Sequence, residues 1–352
     1  MNPVEQMLID IDGSVYLRGE ALVIVDRRSL PGEILEFRAY TCEDVARAIS
    51  DMLVQGAGDI AIAAAYGLYL KSVQLEKKPS VNSENKSKIL MDVSRMLAGT
   101  RPTGFHMAAL LDKITGGLDY SRPLPEQILA VIRKTVERQR IRSRLTGNFG
   151  ADLLKDRDVI LTHCFPGSGL LHMLIRAMEQ GKAIEVVACE TRPYLQGARL
   201  TAWAVSELGV PVTLISDNMA SYCMNSGMIN KVFTAADRIA TDGTVANKIG
   251  TLQLAIAAGY CGIPFYVLGY GGPDKKTAGA GDIPIEIRDP EEVLCFKGER
   301  ITGEKVKGFY PAFDITPARL VKGIVTDRGI FPPADINSYW SAVKNNKPGI
   351  KN

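Results

Sequence analysis

Chemistry is concentrated at a few places in the chain. The stretch THCFPGSG sets Cys164 between an apolar run and a glycine-rich segment that opens a helix. Free backbone N–H groups and the positive end of a helix dipole would favour a thiolate there, so Cys164 is a candidate base or nucleophile. A small buried side chain is the plainer alternative, since that is the usual fate of a cysteine. His163 alternates to the opposite face of the same run and reads as a core or supporting residue. Asp237, in AADRIATDG, follows another apolar run. A carboxyl group enclosed by apolar neighbours holds its proton towards neutrality, which suits a general acid. Asp242 and Gly243 form a common turn pair.

The segment VANKIGT is expected to open a helix with Asn247 and Lys248 at its start, combining an amide, a cation and free N–H groups in a phosphate-binding arrangement. ETRPYLQGAR gathers a carboxylate, two arginines and Gln196, and TRPTG repeats the Arg-Pro pair at Arg101. VQGAGDIAIAAAYG contains Gln55, Gly56 and Ala57 and is rich in small residues, which permits close approach of a ligand or tight helix packing. No Walker-type loop is present, and no strand is followed by G-x-G-x-x-G.

These residues need elements to position them. From residue 158 onward, short apolar runs (DVILTH, AIEVVA, VPVTLIS, KVFTAA, PFYVLG) alternate with helical patterns. A parallel sheet covered on both faces requires that alternation. The fold class is α/β, a Rossmann-like parallel sheet domain with a smaller, mostly helical N-terminal domain, divided as 1–130 and 131–352. Such sheets bind ligands beyond the carboxyl ends of their strands. Those ends supply Cys164, Glu190, Asp217, Asp237 and the glycine-rich run from Gly269 to Gly272. In the first domain, ALVIVD reads as a strand, and a helix with an N-cap at Thr41 and Asp44 follows. Residues 77–90 read as an exposed loop, and EQILAVIRKTVERQRIRSRLTGNFG as a long connecting helix.

Composition narrows the function classes. The chain has 352 residues, a net charge of +3 with both signs interspersed, and six scattered cysteines without C-x-x-C pairing. Nucleic-acid binding, a zinc site and a disulfide framework all lack support. The N-terminus has no basic region followed by an apolar run, and no stretch is apolar enough to span a bilayer. A cytoplasmic protein acting on a small molecule, with no membrane or nucleic-acid partner, is the expectation.

Taken together, LPGEILEF, RPTG, ILTHC, ETRPYLQGARLTAW, PVTLISDNMA, ADRIATDGTVANKIGTLQLAI, GIPFYV and PAFDITPARL resemble the methylthioribose-1-phosphate isomerase family over almost the whole chain. The resemblance implies a homodimer without metal or other cofactor and a sugar-phosphate substrate. It also implies a catalytic pair of Cys164 and Asp237, with substrate contacts at the loop Gln55, Gly56 and Ala57 and at Arg101, Gln196, Asn247 and Lys248. The chain departs from the family pattern at three points. Where the family has R-G-A-P-A-I-G, this sequence has Gln55 in place of the arginine and Gly58 and Asp59 further on. Its N-G-D is here Asp242, Gly243, Thr244, and its N-P-A-F-D begins with Tyr310. Losing the guanidinium weakens a phosphate contact unless another cation compensates. The departures suggest a branch acting on 5-deoxyribose 1-phosphate as well as, or instead of, the methylthio sugar. A ribose-1,5-bisphosphate isomerase would need a further cationic cluster. A non-enzymatic regulatory subunit of the translation-initiation exchange-factor type shares the fold but has no need of both Cys164 and Asp237.

Overall fold

A computed structural model describes residues 7–10, 13–78, 80–101 and 105–342. The chain forms two compact units, Met1–Arg140 and Ile141–Asn352, and the division falls inside a long helix rather than after residue 130.

The first unit opens with an antiparallel sheet of β1 (Val15–Arg18), β2 (Ala21–Val25) and β3 (Glu36–Ala39), with β2 central and buried along its length. Helix α1 (Cys42–Ser50) starts at Thr41, whose hydroxyl accepts from the Asp44 N–H while the Asp44 carboxylate accepts from the Thr41 N–H. That reciprocal cap is the one the sequence predicts. Helix α2 (Ala57–Glu76) carries the small-residue segment, and Ile60 to Leu68 are all buried. Gly67 lets Leu97 and Val45 close on its backbone, so in this part of the helix the small residues serve packing. Residues 83–90 are not a loop: α3 (Ser83–Gly99) begins there, capped by Asn82 through a bond from the Asn85 N–H. The polar residues that suggested a loop face outward, while Leu90, Val93 and Leu97 bury the other side. Helix α4 (Phe105–Thr115) follows, and α5 (Leu124–Asp152) runs across the division between the units.

The second unit is built on a seven-stranded sheet with two smaller sheets among its described residues. In chain order, β4 (Val159–Thr162) leads to α6 (Ser168–Glu179), then to β5 (Glu185–Cys189). A π-helix (Gly197–Ala202) continues as α7 (Trp203–Glu207), followed by β6 (Val212–Ile215), α8 (Ala220–Asn225) and β7 (Lys231–Ala235). A hairpin of β8 (Arg238–Ile239) and β9 (Val245–Lys248) precedes α9 (Thr251–Tyr260) and β10 (Phe265–Tyr270). A one-turn helix α10 (Glu291–Leu294) and a small ribbon, β11 (Cys295–Phe296) with β12 (Glu299–Arg300), come next. The described chain then forms β13 (Phe313–Thr316), β14 (Gly323–Thr326) and β15 (Gly329–Phe331).

The main sheet has the order β15-β14-β10-β7-β4-β5-β6 and is parallel except for the edge strand β15. All five sequence-predicted strands lie in it, and β14 and β15 extend it. The chain moves outward from β4 to β5 and β6, then returns to place β7 on the other side of β4. The order therefore reverses between β4 and β7, which opens a crevice at their carboxyl ends.

Candidate active site

Cys164 and Asp237 stand on either side of that reversal. Cys164 lies two residues past the end of β4, and Asp237 two residues past the end of β7, in strands paired with Thr162 opposite Phe233. Cys164 adopts a left-handed backbone, φ 61°, which costs energy for a residue with a Cβ. Its surroundings hold it there. The Cys164 N–H donates to the Thr191 hydroxyl at 2.9 Å, and the Thr201 hydroxyl donates to the Cys164 carbonyl. Thr201 sits on the π-helix, whose first residue, Gly197, lies against the end of β5. A Cβ at Gly197 would overlap the Cys189 carbonyl oxygen.

His163 is a supporting residue, as its alternation predicts. It is buried, and its Nε2–H donates to the Ile249 carbonyl at 2.8 Å, leaving Nδ1 facing the Thr191 hydroxyl at 3.3 Å. Burial pushes its pKa down, keeping the ring neutral. Asp217 accepts the N–H groups of Thr191 and Arg192, both at 2.8 Å. His163, Cys189 and Asp217 bring potential metal-ligating atoms within 4.8 Å of one another, a trio invisible in the spacing of the sequence. The imidazole and carboxylate are engaged in fixing Thr191, so the trio braces the strand ends that carry Cys164.

Asn247 and Lys248 are on strand β9, not at a helix start. The sequence misleads here because Gly250, at φ 102°, delays helix α9 until Thr251. Strand β9 pairs with β13, placing Lys248 opposite Phe313 and Asn247 opposite Asp314. The Asp237 N–H bonds to the Ala246 carbonyl at 2.9 Å, which sets Asp237 beside this strand. Both predicted phosphate residues are buried, and the Asn247 amide donates to the Thr251 hydroxyl at 2.9 Å. Asp314 accepts from the Gly250 and Leu252 N–H groups, capping α9 with its carboxylate, and burial pushes its pKa up to about 6.

Electrostatics ties these groups together. Burial raises the Cys164 thiol to about 11; Lys248 and Arg288 pull it down, while the Asp237 carboxylate pushes it up. Two sequence-predicted residues, Asp237 and Lys248, therefore act in opposite directions on a third, Cys164. Gln196 is also buried, at the head of the π-helix, and its Oε1 has no hydrogen-bond partner among the described residues. Asp242 makes the expected turn, accepting from the Thr244 N–H.

Sequence reasoning missed Arg288. Its guanidinium bonds Glu286 at 2.8 Å and lies over the rings of Tyr194, Tyr310 and Phe313 at 5.4, 5.8 and 5.8 Å from their centroids. Tyr194 and Tyr310 stand in motifs already singled out, but IEIRDP carries no local signal.

The remaining predicted substrate residues belong to the first unit. Gln55 donates to the Met52 carbonyl at 3.2 Å, and Arg101 donates to the Met52 sulfur at 2.6 Å, so Met52 links the two. Gly56 caps α2 with φ 100°, Ala57 is its first residue, and Asp59 lies in its first turn. The cation beside this turn is Arg27, which bonds the Gln55 carbonyl and the Asp59 carboxylate, both at 2.6 Å. Burial raises the Asp59 carboxyl, and Arg27 opposes that shift. A guanidinium thus stands at the helix start although residue 55 is glutamine.

Comparison with known proteins agrees with this architecture. Residues 53–333 match the initiation factor 2 subunit family. The methylthioribose-1-phosphate isomerase of Thermosipho africanus is 41% identical over 340 residues, covering 91% of this chain and 95% of the relative. The crystal structure of 5-methylthioribose 1-phosphate isomerase from Pyrococcus horikoshii superposes with a TM-score of 0.82 at 33% identity, covering 97% and 98% of the two chains. A crystal structure described as translation initiation factor eIF-2B, subunit delta, from A. fulgidus gives 0.76 at 34% identity, covering 92% and 96%. The chain belongs to the initiation factor 2 subunit family and, over most of its length, is similar to methylthioribose-1-phosphate isomerases.

Proposed function

We propose that this chain is an aldose–ketose isomerase that converts 5-methylthioribose 1-phosphate to the corresponding ribulose 1-phosphate, and that it also accepts 5-deoxyribose 1-phosphate. One observation carries the reading: Cys164 and Asp237 flank the strand-order reversal, with Lys248 beside them. The extent of the similarity to isomerases of that name adds to it.

The chemistry follows from the substrate. A sugar phosphorylated at C1 cannot open its ring unaided, because the anomeric oxygen is esterified. Asp237 gives a proton to the ring oxygen as the C1–O4 bond breaks. The Cys164 thiolate takes the proton from C2, leaving an enol phosphate across C1 and C2. The thiol then returns that proton to C1, while the C2 hydroxyl proton passes to Asp237 as the carbonyl forms. Both residues end as they began. The reactive form has its proton on Asp237 and a thiolate at Cys164. Burial is the main cause of the raised thiol; neutralising Asp237 removes the charge that adds to it, while Lys248 and Arg288 still oppose it. Asn247, Lys248 and Gln196 hold the phosphate, and the family resemblance gives Gln55, Gly56, Ala57 and Arg101 as further substrate-binding residues. The C5 group meets apolar surface, and the reaction needs no cofactor.

The working form is a cytoplasmic homodimer. Leu214, Met219, Tyr222, Ile256 and Tyr260 expose a large apolar area on β6, α8, α9 and the turn between β6 and α8. Apolar area of that kind favours self-association. No helix among the described residues is long and apolar enough to cross a membrane.

A proton NMR assay with methylthioribose 1-phosphate and 5-deoxyribose 1-phosphate tests the reading. Turnover should fall by about 100-fold or more in Cys164→Ser and Asp237→Asn, in line with loss of general acid–base groups. A well-folded protein inactive on both sugars would overturn it. That result would favour the non-catalytic regulatory reading, which the similarity to the A. fulgidus protein supports.

A further inference from the structure

The aromatic nest around Arg288 does not use all of the guanidinium. Its side chain is only 8% exposed, Glu286 accepts from Nε, and Nη1 is buried without a hydrogen-bond partner among the described residues. The hydroxyl of Tyr310 is within reach of the guanidinium, but neither it nor Nη1 completes a well-formed hydrogen bond among the described residues. Three aromatic faces satisfy the charge of Arg288 in part, but they accept no directed hydrogen bond as strong as one to an oxygen. A buried donor left open is costly, and the cost is recovered when a ligand supplies the acceptor.

The position of Arg288 limits what that acceptor can be. Phe313 carries Arg288 on its ring, and the Lys248 ammonium lies 4.8 Å from the same centroid. Both cations act on the Cys164 thiol. Two like charges converging on one aromatic ring repel each other, and a multiply charged oxyanion between them relieves that repulsion. A planar guanidinium donor suits a phosphate oxygen in particular. In the reaction proposed above, the phosphate is on C1, one bond from the carbon that Cys164 deprotonates.

We infer that Arg288 is a substrate-contacting residue whose Nη1–H binds a phosphate oxygen of the sugar phosphate, opposite Lys248. This assignment rests on the proposed isomerase reading for the identity of the sugar, but not for the contact itself. Arg288 then belongs with Asn247 and Lys248 in fixing the phosphate, and Glu286 tempers its affinity by holding a negative charge against it.

The test separates the two claims. Purified protein is treated with iodoacetamide, and alkylation at Cys164 is followed by peptide mass spectrometry with increasing inorganic phosphate, using chloride as the ionic-strength control. Phosphate should protect Cys164 in the native chain. Arg288→Gln should weaken protection by about tenfold or more, the size expected for a lost charge-assisted bond, and Arg288→Lys should retain part of it. Glu286→Gln should shift protection to lower phosphate, an opposite effect that loosened structure would not produce and that stands alone if Arg288→Gln does not fold. With methylthioribose 1-phosphate, the Arg288→Gln defect should fall mainly on KM. Absence of phosphate protection in the native chain, or protection unchanged in Arg288→Gln and Glu286→Gln, overturns the assignment. Because protection needs no turnover, a chain that isomerises neither sugar yet shows these shifts would sink the isomerase reading while upholding the contact.

Discussion

The Asp237 carboxylate raises the proton affinity of the Cys164 thiol, and the two groups stand at the ends of adjacent strands on opposite sides of the strand-order reversal. Coulomb coupling is mutual, so the charge on either group moves the proton affinity of the other, on top of the larger effect of burial on the thiol. Loss of charge at Asp237 makes the thiolate easier to form.

The pH dependence of Cys164 alkylation should report this coupling. In the native chain the rate should rise with pH towards a midpoint near 11. Asp237→Asn removes a negative charge and should move the midpoint down. Lys248→Met removes a positive charge and should move it up, each by about one unit. Midpoints that move together, or not at all, would break the link between the two residues.

Asp314 predicts a pH effect on stability. Its folded pKa is raised from 3.8 to about 6, because burial outweighs the two N–H bonds that it accepts. A raised carboxyl pKa means that the folded state holds the proton more tightly than the unfolded one. Its contribution is therefore greatest below pH 4 and is lost as pH rises towards 6, by up to about 3 kcal/mol. The His163 shift has the opposite sign: its lowered pKa costs stability as pH falls below the ordinary histidine range. Urea midpoints between pH 4 and 7 for native protein and Asp314→Asn should differ in slope, the variant lacking the loss between 4 and 6.

Most of the second unit was legible because its inner strands are buried on both faces and read as largely apolar runs, as β4 (VILT) and β7 (KVFTA) do. Positions just past those strands named Cys164 and Asp237 without any knowledge of sheet order. The misplacement of Asn247 and Lys248 has a local cause. A helical pattern after Gly250 was extended backwards over residues that β13, more than sixty positions away, recruits into a strand. Arg288 was unreadable for the same reason, since Tyr194 on one side and Tyr310 with Phe313 on the other come from segments remote from it in sequence. In the first unit, the polar side of α3 imitated a loop because only its buried face is apolar.

Arg27 and Asp59 form an ion pair whose partners are 7% and 25% exposed. Removing one partner strands the other charge, whereas removing both does not. Arg27→Met should destabilise the chain by about 3 kcal/mol in urea unfolding, and Arg27→Met with Asp59→Asn should recover most of that loss. Equal losses in the single and double variants would mean that the guanidinium serves its other bonds, to Gln55 and Ser14, more than the carboxylate.

Gly197 and Gly99 make a controlled pair for the claim that the π-helix is held against β5 by close backbone approach. At Gly99, in the last turn of α3, an added Cβ meets nothing within 4 Å, and Gly99→Ala should leave the melting temperature unchanged or raise it through a helix-propensity gain of up to about 1 kcal/mol. At Gly197 the same methyl group would strike the Cys189 carbonyl and approach the Thr191 hydroxyl at 2.8 Å. Neither neighbour can yield cheaply, because Cys189 ends a strand paired on both sides and Thr191 holds the Cys164 N–H. Overpacking of this kind costs about 1–3 kcal/mol or more. Gly197→Ala should therefore lower the melting temperature and, because Thr201 on the same π-helix bonds the Cys164 carbonyl, also change the alkylation rate of Cys164. A variant that melts like the native chain and alkylates at the native rate would show that the π-helix shifts freely and does not position Cys164.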